Sequence, residues 1–227
     1  MWTDGKRAAS IWGIIYDLPD AGRDAYLAWF HDVHMPEKLA RPGYLWAAHY
    51  EVIDDEGGHV SSMHGAGSSD VGAGTAKSSG YIALFGGEDT QTFLDPSPAQ
   101  IKPRQTPLTR EMMAKRISQR SFIAAQEWLA PSGHENSMHG ASHIALTWCD
   151  APTQDEAFGA WCVQDLKPVL LAERGVLFLA KLLAATGPAK HVILSGGEAA
   201  RRTIACKGGP DVVIPDGAAI QGRRIAP

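Results

Sequence analysis

An internal repeat is the feature of this sequence that most constrains its fold. Residues 29–43 contain a Trp, then a Pro seven residues later and a Gly seven residues after the Pro. The same pattern returns over residues 161–175, at an offset of 132 (161 minus 29). The flanks match as well, since residues 11–17 correspond to 144–150 and residues 84–88 correspond to 194–198. The chain is therefore predicted to contain two copies of one supersecondary unit.

Hydrophobic periodicity predicts the same order of elements in both copies. The first copy predicts strands at 11–16, 44–53, 80–85 and 122–128, with helices from 21 to near His34 and at 109–117. The second copy predicts strands at 144–149, 176–184, 191–194 and 212–214, with one helix after a capping box at Thr153 and Glu156 and another at 198–206. The first helix is expected to end or kink near His34 because Pro36 disfavours helical geometry at the residue before it.

The order β-α-β-β-α-β in each copy predicts an α+β fold of two ferredoxin-like units. Each unit covers one face of its sheet with helices, so the other face needs a partner. The two copies can supply that partner to each other by packing sheet to sheet, as a single-chain version of an assembly that other proteins build as a homodimer. The predicted domains are residues 8–130, with a long Gly/Ser/His loop at 54–79, a linker at 131–141 and residues 142–227.

Composition and charge limit the classes of function. Hydrophobic residues make up 44% of the chain and charged residues 20%, which is typical of a globular protein. The net charge of −4 and the lack of a Lys/Arg-rich run argue against a nucleic-acid partner. No stretch is long and apolar enough for a transmembrane helix or a signal-peptide core, so we expect no membrane partner. The three cysteines lack paired spacing, which favours reduced thiols and a cytoplasmic location.

The segment Trp29–Leu39 (WFHDVHMPEKL), followed by Pro42 and Gly43, resembles the EthD-like branch of the dimeric α/β-barrel superfamily. That branch typically has a Trp on the first helix, a His-x-Pro at the helix end and a Pro-Gly turn into a long second strand. The resemblance implies a barrel built from two facing sheets. It also implies a small-molecule function, because the superfamily includes lactone isomerases, polyketide cyclases, cofactor-independent monooxygenases and haem enzymes.

The resemblance further implies a catalytic role for His34, because lactone-isomerase relatives place a His of the active-site pocket near this helix end. Leu166 occupies the same position in the second copy and cannot transfer a proton, so we expect one principal site in the first half. From the residues alone, His34 is either a general acid/base or a structural residue at the helix end. His31, one turn earlier, is a candidate for substrate binding.

The strand predicted at 44–53 carries the remaining catalytic candidates. His49 and Tyr50, either of which would bind or polarise a substrate oxygen, point to opposite faces, so only one of them can line a central cavity. His49 aligns with Lys181, which favours a polar role for its face. Trp46, a candidate for substrate binding, shares the face of Tyr50, and that face is either core or cavity wall.

A second repeat, Gly-His-x-x-Ser-Met-His-Gly-Ala, occupies residues 58–66 and 133–141 at an offset of 75 (133 minus 58). Its copies are lids over a substrate, two loops that meet at a metal ion, or a local duplication with packing value only. We favour lids, in which His59, His64 and His139 contact the substrate, because His-x4-His is not a standard zinc spacing. The same residues with His134 define the metal alternative.

Taken together, these patterns predict a cofactor-independent enzyme of small-molecule catabolism. It would act on an aromatic, lactone or polyketide-like substrate by His acid/base chemistry, in an isomerisation, a cyclisation or a lyase-type elimination. One alternative is a metal- or haem-dependent oxidoreductase that uses the loop histidines, and another is a non-catalytic small-molecule binding protein. A homodimer is a further expectation, since open sheet edges can pair between chains.

Overall fold

The computed structural model describes residues 8–53, 78–130, 137–198, 211–214 and 219–227. Its strands are β1 (Ser10–Pro19), β2 (Tyr44–Ile53), β3 (Ser78–Gly87), β4 (Ile117–Ala130), β5 (His143–Cys149), β6 (Val176–Thr186), β7 (His191–Gly197) and β8 (Ala219–Ala226). Its α-helices are α1 (Arg23–Trp29), α2 (Met35–Leu39), α3 (Gln91–Leu94), α4 (Pro98–Ile101), α5 (Pro107–Met113), α6 (Ser137–Gly140), α7 (Asp155–Trp161) and α8 (Lys167–Leu171). Two π-helical turns occupy Phe30–His34 and Cys162–Leu166, and a 3-10 turn occupies Lys102–Arg104.

The described strands close into one antiparallel barrel in the order β1-β3-β2-β8-β5-β7-β6-β4, with β4 pairing back to β1. The four strands of the first half (β4-β1-β3-β2) and the four of the second half (β8-β5-β7-β6) follow the same order. Their registers agree, because Ser10 lies opposite Gly87 in the first half and His143 lies opposite Gly197 in the second. The mixed α+β class and the barrel are therefore confirmed.

Closure of the barrel bears on the expected homodimer. Strands β2 and β8 pair at one junction between the halves, and strands β4 and β6 pair at the other. Each described strand thus has a neighbour on both sides, and a closed sheet offers no edge for pairing with a second chain. The edge argument for a homodimer is therefore wrong, and a dimer formed through another surface stays a prediction.

The inward side chains of the barrel form an apolar core. In β2, Trp46, Ala48, Tyr50 and Val52 point inward and join this core. The alternate residues of β2 point outward, where Ala47 packs into a second cluster beneath the helices. Tyr50 therefore lies on the interior face, and His49 lies on the face that the helices cover.

The first helical segment continues through residues 23–39, so the helix does not end at His34, and the expected irregularity there takes the form of a π turn over Phe30–His34. Pro36 has no N–H, and its ring crowds the carbonyl four residues earlier. The helix widens here instead of stopping, since the Met35 N–H bonds to the carbonyl of Phe30 in a π turn. The second half repeats this geometry, because the N–H of Lys167 bonds to the carbonyl of Cys162 ahead of its own proline.

Three predictions of secondary structure are wrong. The N-cap of α7 is Gln154 and makes no side-chain hydrogen bond, so the capping box of Thr153 is not formed. Helix α5 ends at Met113, and Ile117 already begins β4. The last strand is β8, because the segment 212–214 contributes only an isolated bridge at Val213.

Several predicted segments fall partly or wholly beyond the described residues. The long loop lies outside them over residues 54–77, while residues 78–79 belong to β3. Within the predicted linker the structure describes the short helix α6, and most of the helix predicted at 198–206 is outside the described ranges. Among the described helices, none has the length and apolar character that a membrane crossing requires.

Candidate functional site

A cavity of about 500 Å³ lies in the first half of the chain, between the outer face of β1 and β3 and the helices that cover it. This volume is within the range of roughly 300–1,000 Å³ that is typical of small-molecule sites. The large apolar side chains of its wall are Trp12, Ile14, Phe30, Phe85, Ile101 and Met113. Its polar and charged side chains are His34, Lys38, Lys102, Gln105, Arg110, Arg116 and Gln119.

His34, at the last position of the π turn, is buried in the cavity wall with 6% of its surface exposed. Its ring stacks on Trp29 with the centroids 4.7 Å apart. Its Nδ1 is 3.9 Å from Oε2 of Glu37, too far for a hydrogen bond, and has no hydrogen-bond partner among the described residues. Burial, and then the positive charge of Lys38, lower the pKa of His34 from 6.5 to about 3. The imidazole is therefore neutral at physiological pH.

Lys38 lies one helical turn beyond His34 and lines the same cavity. It is as buried as His34, and its Nζ lies 4.8 Å from the centroid of the Trp12 ring, in a cation–π contact. Burial, and then the charges of Arg41 and Arg116, lower the pKa of Lys38 from 10.5 to about 7. A lysine that titrates near neutrality can both give and accept a proton at physiological pH.

Arg116, in the residue just before β4, is a second buried cation of the cavity. Its Nε donates a hydrogen bond of 2.6 Å to Oη of Tyr26, and its guanidinium lies 4.2 Å from the centroid of the Tyr16 ring. Its Nη1 donates a long hydrogen bond of 3.4 Å to Gln119. Its Nη2 is buried and has no hydrogen-bond partner among the described residues. The guanidinium is therefore held in place while one of its donor groups stays unsatisfied.

A chain of polar side chains leads from Arg116 to His49 and His31. The hydroxyl of Tyr26, which accepts the hydrogen bond of Arg116, interacts with that of Tyr16. Oη of Tyr16 lies 2.9 Å from Nε2 of His49. Nδ1 of His49 is in turn 2.8 Å from Nε2 of His31, which is half-buried. His49 is completely buried and is not part of the cavity wall. The two histidines therefore support Arg116 from behind.

In the second half, the positions equivalent to the titratable pair carry leucines. Leu166 and Leu170 replace His34 and Lys38 at the repeat offset of 132 (166 minus 34), and both are buried in an apolar cluster. The backbone is alike in the two halves. In each half a π turn ends two residues before a proline, at His34 in the first half and at Leu166 in the second. The two halves therefore differ in the chemistry of these side chains rather than in their scaffold.

The other residues proposed from the sequence are not brought to this cavity. Trp46 and Tyr50 lie in the barrel interior, where Oη of Tyr50 is buried without a hydrogen-bond partner among the described residues. His139 is partly buried, with its ring centroid 6.3 Å from that of Trp46. The remaining loop histidines, His59, His64 and His134, lie outside the described residues.

Sequence reasoning missed two residues of the cavity, Lys38 and Arg116. A signal was available for Lys38, because it lies at i+4 from His34 on the same helix and aligns with Leu170 in the repeat. Arg116 gave none, since it lies in an irregular segment before a strand and has no counterpart in the repeat. Only the tertiary structure places it beside the other two side chains.

No protein-family model matches the chain, and no curated protein matches it in sequence. Solved structures are similar to it at low identity. A protein of Fusobacterium nucleatum subsp. nucleatum ATCC 25586 named "Putative monooxygenase" has a TM-score of 0.49 and 10% identity, over 96% of this chain and 93% of that chain. An anthrone oxidase-like protein has a TM-score of 0.47 and 8% identity, over 97% and 93%. A "Putative Chlorite dismutase" has a TM-score of 0.49 and 12% identity, over 95% of each chain. At these scores the likenesses carry no assignment of activity.

Proposed function

We propose that the first-half cavity is the active site of a cofactor-independent enzyme that moves a proton on a small, largely apolar substrate. One observation carries this proposal. The first half buries His34 and Lys38 at two helix positions where the second half buries leucines, Leu166 and Leu170. Apolar side chains are the stabilising choice at such positions, and buried titratable groups cost free energy. Their presence beside the first-half cavity, where the second half has leucines at the equivalent positions, is the pattern expected of a single catalytic site.

The three polar residues have complementary roles in this proposal. Lys38 is the acid/base group, because its pKa of about 7 matches the operating pH. His34 is neutral and presents an imidazole nitrogen that accepts a hydrogen bond from the substrate. Arg116 and the other cations stabilise the negative charge that develops on an oxygen when a neighbouring C–H bond is broken. This chemistry fits isomerisation, cyclisation or elimination.

The proposal changes two of the assignments made from the sequence. The general acid/base role expected of His34 passes to Lys38. Binding or polarisation of a substrate oxygen was assigned to His49 or Tyr50, and in this cavity it passes to Arg116 and Lys38. His49 becomes a positioning residue, through Tyr16 and Tyr26. Its effect on turnover is therefore expected to be indirect.

Membership of the dimeric α/β-barrel superfamily, in its EthD-like branch, also belongs to the proposal. So does the origin of the barrel by duplication of one ferredoxin-like unit. Supporting observations are the shared strand order of the two halves, the matching registers and the two π turns at equivalent positions. A cytoplasmic location stays an expectation from the sequence.

Exchange of substrate protons with solvent tests the proposed reaction. The purified chain is incubated in D₂O with small ketones, β-keto acids and unsaturated lactones, and proton NMR follows the signal of the carbon next to the carbonyl. We expect catalysed exchange with at least one compound. In the variant Lys38→Leu, which copies the second half, the exchange rate should fall by roughly 10²- to 10⁴-fold because the acid/base group is gone. His34→Leu, which also copies the second half, should lower the rate because a hydrogen bond to the substrate is lost.

A matched control for the histidine change is His143→Leu, on β5 of the second half and away from the cavity, which should keep the wild-type rate. Exchange that is equally fast in all four proteins would overturn the proposal. So would the lack of exchange in every compound that binds. The oxidoreductase alternative predicts a metal or a visible absorption band in the purified chain, which elemental analysis and a spectrum detect directly.

A further inference from the structure

The charge of the first-half cavity has one sign. Besides His34, four side chains of its wall carry a permanent or titratable positive charge, namely Lys38, Lys102, Arg110 and Arg116. None of the described residues that line the cavity is an Asp or a Glu. The whole chain has a net charge of −4, so this concentration of cations is local. Cations gathered in a concave, partly apolar site raise the local concentration of anions.

Arg116 shows where an anion would be held. Its residue is 8% exposed, and the guanidinium is fixed by the hydrogen bond to Tyr26 and by the ring of Tyr16. An unsatisfied buried donor such as its Nη2 costs free energy until an acceptor is supplied. The unpartnered Nη2 of a fixed guanidinium suits an oxygen of a carboxylate, because a hydrogen bond between two charged groups is strong. Lys38 adds a second charge in the same cavity and forms no ion pair with a residue that the structure describes.

The remaining wall decides what the anion is attached to. Trp12, Phe85 and Met113 line the cavity with rings and a thioether, so a bare ion would leave most of this surface without a partner. An aromatic or alicyclic body buries these groups and gains the free energy of apolar contact. Inorganic phosphate offers no such body.

We propose that the first-half cavity binds a small carboxylate with an aromatic or alicyclic body, the carboxylate at Arg116 and Lys38 and the body against Trp12 and Phe85. This inference rests on the proposed function in that it names the substrate class of the same site. It does not depend on turnover, because binding is measured without reaction. It also explains why two buried positive charges are tolerated in a core-like environment, since the ligand supplies the compensating charge.

Binding of a carboxylate changes the proton balance of the site. The groups that face Lys38 are Trp12 and Phe85 from the sheet, His34, Glu37 and Arg41 from its own helix, and Arg116, Lys102 and Arg110 from the segments across the cavity. A bound anion offsets the cations among them and so raises the pKa of Lys38 above about 7. Binding at pH 7 to 8 is therefore coupled to proton uptake, and affinity falls as the pH rises above 7.

Isothermal titration calorimetry of the full chain with benzoate, 2-naphthoate and cyclohexanecarboxylate tests the inference. Benzamide, which has the same ring without the charge, and inorganic phosphate, which has charge without a body, serve as comparison ligands. We expect saturable binding of at least one carboxylate, and binding that is at least tenfold weaker for benzamide and phosphate. The binding enthalpy should depend on the ionisation enthalpy of the buffer, with net proton uptake.

Two variants locate the site. Arg116→Gln removes the fixed charge, and Lys38→Met removes the second charge while keeping most of the stem; each should weaken carboxylate binding roughly 10- to 100-fold, as expected for a lost hydrogen bond to a charged group. Lys38→Met keeps the test decisive where Arg116→Gln fails to fold. Lys167→Met, on the equivalent helix α8 of the second half, is the matched control and should bind as the wild type does.

Three results would overturn the inference: no binding of any of the three carboxylates, equal binding of benzamide, or unchanged affinity in both cavity variants. These results are separable from the failure of the proposed reaction. If carboxylates bind but no compound exchanges protons, the anion site is supported and the proposed catalysis is refuted. Proton exchange in neutral ketones without carboxylate binding keeps the catalysis and overturns the substrate class.

Discussion

At the scale of single residues, the first half accepts polar groups where the second half is apolar. His34 is neutral at physiological pH because burial and nearby cations lower its pKa to about 3. The same two causes lower the pKa of Lys38 from 10.5 to about 7. Perturbed titratable groups that share a cavity are a recurring mark of functional sites.

Replacement of Lys38 by Leu, the residue at the equivalent position 170, is expected to stabilise the fold. The pKa of Lys38 is lowered from 10.5 to about 7, so between these values the unfolded chain binds more protons than the folded chain and wild-type stability rises with pH. The free energy of unfolding of Lys38→Leu should exceed that of the wild type by about 1–3 kcal/mol at pH 7, a gain that shrinks toward pH 10. Urea denaturation at pH 7 and pH 9 measures both values.

The control for this substitution is Lys167→Leu, at a half-buried position on α8. Its change in unfolding free energy should stay within about 0.5 kcal/mol at either pH, as is usual for surface positions. A Lys38→Leu protein that is less stable than the wild type at pH 7 would show that the ammonium is compensated in the free protein. That outcome would contradict the view of Lys38 as an uncompensated cation.

At the scale of elements, tight packing of rings onto glycine explains why both halves carry a Gly-Gly pair, at residues 86–87 and 196–197. Gly86 lies within β3, and a Cβ atom there would be 2.2 Å from the indole of Trp46. Gly196, at the equivalent position of β7, faces Phe178 in the same way, since an added Cβ would be 2.8 Å from its ring. The first glycine of each repeated pair therefore preserves space for an inward aromatic ring on the neighbouring strand.

Gly86→Ala is accordingly expected to destabilise the barrel by about 1–3 kcal/mol, because the indole of Trp46 has to move within a packed core. Gly159→Ala is a matched control, since an added Cβ on this residue of α7 meets no atom within 4 Å. Alanine is the better helix former, so this variant should be more stable than the wild type by up to about 1 kcal/mol. Thermal or urea unfolding of the two variants checks the opposite signs, and equal effects would refute the packing argument.

The secondary structure could be predicted from the sequence where periodicity is strong and failed where tertiary contacts decide. Strand β2 is found at the predicted bounds of 44–53, because its alternation is long and uninterrupted. The sequence left open whether the first helix ends or kinks near His34, since the rule for proline does not distinguish a stop from a widened turn that lets the helix continue. The short apolar run 212–214 has the composition of a strand, but the barrel takes β8 in its place.

At the scale of the whole molecule, the repeat predicted two similar units packed sheet to sheet, and the resemblance of residues 29–43 to the dimeric α/β-barrel superfamily implied the barrel. A segment that appears twice must satisfy the same pairing rules twice, which leaves few arrangements. The position of the cavity was not predictable in this way. It lies between sheet and helices, and its formation depends on Arg116 and on segments that the second half does not repeat in the described residues.

Sequence reasoning also placed two catalytic candidates on β2 without knowing which face met the ligand. His49 and Tyr50 differ by one position and so lie on opposite faces of the sheet. The barrel puts Tyr50 in the interior and His49 beneath the helices, in contact with Tyr16 and His31. Only knowledge of the closed barrel distinguishes the two sides.

The central claim is that ligand binds between the sheet and the helices of the first half, beside His34, Lys38 and Arg116. A crystal structure of the full chain with 2-naphthoate, or with the compound that gives the fastest proton exchange, tests it most directly. We predict the ligand in this cavity, with an oxygen within hydrogen-bond distance of Nη2 of Arg116 or Nζ of Lys38. A ligand bound instead in the barrel interior beside Tyr50, with the first-half cavity empty, would contradict the claim.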